Sequence, residues 1–133
     1  MKKSLLIFAW LTLCASTHFV YSTDYTITEF GAVADGVTLN TKAIQAAIDQ
    51  AHEKGGGRVV VPPGTFLTAT LALKSNVELY LQKGAVLLGS TDINDYYKIK
   101  GDNALIISRD QHDIAISGAG TINGRGKELA LAI

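Results

Sequence analysis

A pattern of short apolar strips that recurs along the chain is the feature that most limits how it can fold. Each strip places two apolar residues on either side of a third residue; the pairs are Val59 and Val61, Leu79 and Leu81, and Ile114 and Ile116, at spacings of 20 and 35 residues. A glycine, a small residue and an apolar residue follow each pair, namely Gly64-Thr65-Phe66, Gly84-Ala85-Val86 and Gly120-Thr121-Ile122, at spacings of 20 and 36. Repetition at about 20 to 50 residues is typical of solenoids, because each unit buries its apolar face only against the next one.

A further strip precedes two of these units. It contains Leu71 with Leu73 and Leu105 with Ile107, which lie 34 residues apart. One coil therefore contains three short strands, and the wider second interval predicts an insertion between coils. The alternative is a chance recurrence of Val-rich strands, which the similar spacings of the three strips disfavour.

An amphipathic helix is predicted from Asn40 onward. Its apolar stripe follows the helical spacing i, i+3, i+4 and i+7 and consists of Ile44, Ala47, Ile48 and Ala51. Asn40 is predicted to be the N-cap and Gly55 to stop the helix. A short strand at residues 25–28 precedes it. A strand and a helix with one apolar face would cover the first coil of a solenoid, whose interior and unpaired backbone would otherwise meet water.

The first 22 residues have the layout of a secretory signal peptide. Lys2 and Lys3 precede an apolar run at residues 5–13, and small residues end the segment near Ser22. The run is shorter than the roughly 20 apolar residues that a membrane-spanning helix needs. We therefore expect export to the periplasm or the extracellular space. Cleavage would leave residues 23–133, which contain no cysteine and so cannot be stabilised by disulfides.

The charge balance bears on the partners that the chain could have. It carries 12 basic and 12 acidic residues, and loss of Lys2 and Lys3 with the leader leaves a formal charge of −2. No concentration of basic residues indicates nucleic-acid binding, and no membrane contact is expected after cleavage. The charge by itself neither attracts nor repels an acidic polysaccharide.

Four segments of the chain form a recognisable set. They are residues 25–36 (YTITEFGAVADG), 40–48 (NTKAIQAAI), 55–66 (GGGRVVVPPGTF) and 118–126 (GAGTINGRG). The set resembles the amino-terminal part of pectin-degrading β-helix proteins, and among them the polygalacturonases of glycoside hydrolase family 28. The resemblance implies an all-β fold for residues 23–133: the N-terminal part of a right-handed parallel β-helix, an incomplete solenoid of roughly two to three coils with an N-terminal capping α-helix.

The resemblance also implies a reaction, and the sequence lacks the residues for it. Inverting hydrolysis of α-1,4-galacturonan needs a protonated carboxyl group and a second carboxylate that activates water, about 6.5–9.5 Å apart. The family supplies these and their supporting groups from Asn-Thr-Asp, Asp-Asp, His-Gly and Arg-Ile-Lys segments, none of which occurs here. Lys98-Ile99-Lys100 is only a superficial echo of the last. We therefore expect no catalytic residue, no cofactor and no activity from this chain alone.

Tyr96 and Tyr97 are the candidate substrate-binding residues. They lie in a polar stretch at residues 90–103, and aromatic rings at the rim of a groove can stack on sugar rings. The alternative for both is simple packing against the wall of the solenoid.

The remaining chemistry-bearing residues are expected to be solvated. Asp92 and Asp95 lie in the same polar stretch, and Asp110 and Asp113 flank His112; nothing in the local sequence would raise a carboxyl pKa as a catalytic acid requires. The three histidines are scattered and Cys-x-x-Cys is absent, so no metal site is predicted.

Two functions remain open from the sequence. In the first, the chain is the front of an exported polygalacturonase-like hydrolase that has been cut short, with galacturonan or rhamnogalacturonan as the pectic substrate; a piece of a pectate or rhamnogalacturonan lyase is a variant of this hypothesis. In the second, it is a non-catalytic β-helical module that binds polysaccharide or assembles with a partner. An uncovered last coil would favour self-association in either case.

Overall fold

The structure is a computed structural model and describes residues 23–131, so the predicted leader lies outside the described residues. The described residues form ten strands and two α-helices. The strands are β1 (Asp24–Thr26), β2 (Asp35–Leu39), β3 (Gly57–Val61), β4 (Gly64–Thr68), β5 (Leu71–Ala72), β6 (Val77–Leu81), β7 (Ala85–Gly89), β8 (Ile106–Ile107), β9 (Ala115–Gly118) and β10 (Thr121–Asn123). The helices are α1 (Thr41–Glu53) and α2 (Gly126–Leu131).

The strands form three parallel sheets, and the chain visits the sheets in turn. Sheet 1 has the order β1-β3-β6-β9, sheet 2 has the order β2-β4-β7-β10, and sheet 3 pairs β5 with β8. Coil 1 contains β1 and β2, coil 2 contains β3 to β5, coil 3 contains β6 to β8, and coil 4 contains β9 and β10. This arrangement is a right-handed parallel β-helix, which confirms the predicted fold class.

The predicted repeat is correct in kind, but its register is wrong by one or two residues. Leu79 pairs with Val59 and with Ile116, whereas the sequence pattern placed Ile114 opposite Leu79. Since side chains alternate between the two faces of a strand, a shift of two residues keeps the same face inward, and the apolar pattern fits both registers.

Smaller register errors occur in the other two sheets. In sheet 2 the residue opposite Phe66 and Ile122 is Leu87 and not the predicted Val86. In sheet 3 Leu71 pairs with Ile106, one residue beyond the predicted Leu105. Coil 3 therefore contains one residue more than the spacing of the glycines suggests.

The core is a stack of inward-facing aliphatic and aromatic side chains. Val59 lies over Leu79 in sheet 1 and Phe66 over Leu87 in sheet 2, and all four are fully buried. The intervening residues of β6 and β7 are only partly buried, as expected for strands with one face against the core. Burial of a large aliphatic side chain contributes about 1.5–3 kcal/mol, so this ladder is the main stabilising feature.

Helix α1 covers the start of the stack. Its predicted stripe of Ile44, Ala47, Ile48 and Ala51 is fully buried. The helix ends as predicted at Gly55, where the N–H of Gly55 donates to the carbonyl of His52 and the N–H of Gly56 donates to that of Ala51. Both glycines have positive φ, the conformation that this helix-ending motif requires.

Asn40 occupies the predicted N-cap position but does not cap the helix with its side chain. Its Oδ1 accepts from the N–H of Val33 at 2.8 Å, and its Nδ2 donates to the carbonyl of Val33 at 3.0 Å and of Thr38 at 3.0 Å. The buried amide of Asn40 therefore satisfies the backbone of the loop before β2.

A row of polar side chains on α1 satisfies the backbone along the third side of coil 2. The hydroxyl of Thr41 accepts from the N–H of Ala69 at 2.8 Å. The side-chain amide of Gln45 pairs with both main-chain groups of Ala72, at 2.8 and 3.0 Å. Further along the helix, His52 Nδ1 bonds the carbonyl of Ser75 at 3.0 Å. The helix thus takes the place that a neighbouring strand would otherwise occupy.

The opposite end of the stack is open. Ile116 and Ile122 occupy the same inward positions as Leu79 and Leu87 but are 48% and 40% exposed. Among residues 23–131, no helix is long and apolar enough to cross a bilayer.

Candidate functional site

The predicted insertion is the loop at residues 90–105, between β7 and β8. The equivalent connection in coil 2 is the dipeptide Ala69-Thr70. The loop begins with a short 3-10 turn in which Asp92 Oδ1 accepts from the N–H of Asn94 at 2.9 Å. The hydroxyl of Ser90 donates to the carboxylate of Asp95. Because long ordered loops are often functional, this loop and its two tyrosines form the candidate site.

Tyr96 is fixed by its hydroxyl group. The hydroxyl donates to the carbonyl of Ser90 at 2.8 Å, and burial, with a smaller effect from the Asp95 carboxylate, raises the pKa of Tyr96 against the opposing charge of Arg125. The ring lines a cleft of about 130 Å³ together with Ile93, Asn103, Ala104, Leu105, Gly124 and Leu129. Tyr96 therefore acts as a packing residue whose polar end is already paired, and its stacking role stays an untested prediction.

Tyr97 presents its ring to solvent from a fixed main chain. Its N–H donates to Thr70 Oγ1 at 3.2 Å, and the same hydroxyl donates to the carbonyl of Tyr97 at 3.3 Å. Thr70 is fully buried, whereas Tyr97 is 43% exposed. This geometry provides an aromatic surface on a rigid support.

Charged groups of coil 2 and α1 lie near this ring. Partial burial is the main cause of the raised pKa of Tyr97, the Asp49 carboxylate raises it further, and the Lys74 ammonium group opposes both. Lys74 Nζ and Asp49 Oδ1 are 2.7 Å apart, and about a third of each side chain is exposed. The surface around Tyr97 therefore combines an aromatic face with a cation and a carboxylate.

The two tyrosines do not form a joint site. Tyr96 turns toward the end of β7, where the Nε of Arg125 donates to the carbonyl of Gly89 at 2.7 Å. Tyr97 turns toward Thr70 in coil 2. Adjacent residues in extended backbone point in opposite directions, which explains why the pair is split.

The carboxylates that the sequence singled out serve local contacts. Asp110 pairs with Lys100, which lowers its pKa, and Asp113 pairs with His112 Nδ1 at 2.8 Å on the surface. The pKa values of Asp35 and Glu78 are also lowered. A general acid in glycoside hydrolysis needs the opposite shift.

The other predicted features have structural roles. Lys98-Ile99-Lys100 precedes a tight turn in which Ile99 and Asp102 exchange two main-chain hydrogen bonds of 3.0 Å each. Within residues 23–131, no three His, Cys, Asp or Glu side chains come together as a metal site.

Sequence reasoning missed a polar cluster on the outer face of sheet 1. Glu78 accepts from Ser117 at 2.5 Å and from Arg58 at 3.2 Å, and the guanidinium of Arg58 lies 4.7 Å from the ring centroid of Tyr80. The Ser117 hydroxyl is the main cause of the lowered Glu78 pKa. These residues come together only in the correct register, so the sequence pattern gave no signal for them.

Comparison with known proteins gives a consistent result. Residues 25–124 match the family model described as rhamnogalacturonase A/epimerase, pectate lyase-like. An exo-poly-α-D-galacturonosidase of Dickeya chrysanthemi is 53% identical over 76 residues, which cover 55% of this chain and 12% of that protein. The mannuronan C5-epimerase AlgE6 of Azotobacter vinelandii is 43% identical over 67 residues, which cover 50% of this chain and 8% of that protein.

A solved structure agrees with this similarity. The family 28 exopolygalacturonase of Yersinia enterocolitica superposes with a TM-score of 0.69 at 40% identity, covering 78% of this chain and 21% of that one. The chain thus spans at most about a quarter of the length of the first curated relatives that it matches. It belongs to the rhamnogalacturonase A/epimerase family of pectate lyase-like β-helix proteins.

Proposed function

We propose that this chain is the front part of an exported hydrolase that cleaves α-1,4-linked galacturonan in pectin. The observation that carries the proposal is the 53% identity to an exo-poly-α-D-galacturonosidase within a region that the family model also matches. The agreement in coil geometry with a family 28 exopolygalacturonase supports the same substrate class.

The catalytic groups of the proposed reaction lie outside this sequence. None of the four segments implied by the family resemblance occurs in residues 1–133. The lowered pKa values of Asp35, Glu78 and Asp110 would keep these carboxyl groups ionised at neutral pH. The role of this chain in the proposed hydrolase is therefore to cap the β-helix and to provide the first coils.

The test is to sequence the locus past the codon for Ile133 and to assay the products. We expect the Asn-Thr-Asp, Asp-Asp, His-Gly and Arg-Ile-Lys segments to be encoded there. The 133-residue chain should release no reducing ends from polygalacturonate, whereas a polypeptide that includes those segments should release them with inversion at the anomeric carbon, as followed by proton NMR. Absence of the segments from all three downstream frames would refute the hydrolase assignment.

The proposed substrate contact is Tyr97, with Tyr96 beneath it as support. An exposed aromatic ring can pack against the apolar face of a sugar, and the nearby Lys74 ammonium group could pair with a uronate carboxylate. Partial exposure of Lys74 and Asp49 supports this assignment, since both can exchange their mutual contact for contacts with a ligand.

Export is proposed from the leader at residues 1–22. Amino-terminal sequencing of the protein recovered outside the cytoplasm should begin at Thr23. Recovery of the protein in the cytoplasm with Met1 or Lys2 at its start would contradict export.

A further inference from the structure

The open face of coil 4 is an apolar surface in the position where the other coils are stacked. It is formed by Leu81, Ile116, Ser117, Gly118, Gly120 and Ile122, which enclose a shallow groove of about 120 Å³. Leu79 and Leu87 are fully buried one coil below, whereas Ile116 and Ile122 in the same register are 48% and 40% exposed. No strand in residues 23–131 pairs with the outer edges of β9 and β10.

The interior at the opposite end of the stack is closed. The apolar stripe of α1 is fully buried over the first coil. On the third side of the stack, Gln45 pairs with both main-chain groups of Ala72, so the edge of β5 is occupied.

The edge of β2 is protected as well. Asp35 Oδ1 accepts from the N–H of Val37 at 2.9 Å and of Thr38 at 2.7 Å. Asn40 pairs with both main-chain groups of Val33. A charged or polar side chain that consumes edge groups in this way blocks the addition of another strand.

These observations decide how two copies of the chain could meet. A head-to-tail stack would place coil 4 of one copy against the end that α1 and Asp35 block, so growth into a filament is disfavoured. Pairing of two coil 4 faces brings free strand edges and aliphatic side chains together. None of the six residues that line the face is charged, so two identical faces meet without like-charge repulsion.

We infer that the 133-residue polypeptide forms a closed, two-fold symmetric dimer through coil 4, with Ile116 and Ile122 of each copy covered by the other. The proposal is independent of the activity proposed above, because it rests on the exposure and edge chemistry of the described residues. The partner that the face takes is a second copy of this chain.

Sedimentation velocity over a range of concentrations tests the proposal. We expect a monomer–dimer equilibrium with no larger species. A double variant, Ile116→Asp with Ile122→Asp, should weaken the dimer by at least about a hundredfold, because two carboxylates would be buried in each half of the contact. A matched control is Val37→Asp, which changes a residue that is 77% exposed at the opposite end and should leave the dimer unchanged.

Two further measurements keep the test decisive if the double variant fails to fold. In the unaltered chain, amides of β9 and β10 should gain protection from hydrogen exchange as concentration rises, while those of β1 and β2 should not. Asp35→Ala should open the edge of β2 and add species larger than the dimer. A monomer at all concentrations, or a dimer that Val37→Asp disrupts and the coil 4 variant does not, would overturn the inference.

Discussion

Asp35 shows how much one exposed side chain can organise. Besides the two main-chain N–H groups described above, it accepts a hydrogen bond from the hydroxyl of Thr38 at 2.6 Å. The hydrogen bonds to Thr38 and Val37 lower the pKa of Asp35 to about 2. Charged carboxylates accept hydrogen bonds more strongly than neutral ones, so the turn depends on ionisation of this group.

The lowered pKa of Asp35 predicts a pH dependence. Its folded pKa lies below the unfolded value, so its stabilising effect is present at pH values above about 4 and is lost as pH falls through about 2. We expect Asp35→Asn to lower the melting temperature at pH 6 and to have a smaller effect near pH 2. Thermal unfolding of both proteins across this range measures the difference; a constant difference at all pH values would show that ionisation plays no part.

Tyr97 provides a second prediction at this scale, which tests the proposed substrate contact. Tyr97→Ala should leave the fold intact and raise the Kd for oligogalacturonate by about 2- to 10-fold, in line with the size of aromatic contacts. Chemical-shift titration with the unaltered chain and with Tyr80→Ala provides the comparison, because Tyr80 lies on sheet 1 beside Arg58. An equal loss of affinity in both variants would exclude a specific role for Tyr97.

Three turn residues illustrate why local motifs mislead in this fold. Gly56, Asn76 and Asp113 each have positive φ, and each lies shortly before a strand of sheet 1. The His112-Asp113 pair resembles half of an acid-base dyad in sequence, yet Asp113 is a turn residue that tolerates the left-handed conformation.

At the scale of elements, α1 is both a core helix and a substitute strand. Its apolar stripe was predictable because the spacing of Ile44, Ala47, Ile48 and Ala51 is strictly helical. Its polar row was not, because Thr41 and Gln45 contact residues 27 and 28 positions away. Such contacts follow from the stacking of the coils, which no local pattern encodes.

Gln45 gives a direct test of this second role. Gln45→Ala should destabilise the chain by about 1–3 kcal/mol, because it leaves the N–H and the carbonyl of Ala72 without their partner. Gln50→Ala is a matched control on the same helix, since Gln50 is exposed, and should change the free energy of unfolding by less than about 0.5 kcal/mol. Urea denaturation of both variants measures the difference; equal effects would mean that the edge of β5 needs no cap.

The predicted strands show the same limit. The pattern of paired apolar residues located β3, β6 and β9 and identified the inward-facing side of each. It misplaced the register because a shift of two residues preserves the pattern. The insertion at residues 90–105 was predicted from spacing, but the direction of Tyr96 and Tyr97 was not, since it depends on hydrogen bonds to Ser90 and Thr70.

For the whole molecule, stability should decrease from the covered end to coil 4. Leu79 and Ile116 occupy the same register position but differ in burial, at 0% and 48% exposure. The inner coils therefore carry most of the apolar contacts.

A matched pair of substitutions measures this gradient. Leu79→Ala should cost about 2–5 kcal/mol, whereas Ile116→Ala should cost about 1 kcal/mol at concentrations where the chain is monomeric. The free energies of unfolding by urea provide the comparison. Equal costs would mean that Ile116 is covered as fully as Leu79.

The helix that seals the first coil also gives the fold a direction. With the amino-terminal edge blocked by α1, Gln45 and Asp35, each completed coil can accept the next one only on its carboxyl-terminal side. That side is where newly synthesised residues arrive, because a polypeptide is made from its amino terminus. We therefore expect α1 and coils 1 and 2 to act as a seed during synthesis, on which later coils form in the order in which they leave the ribosome or the export channel.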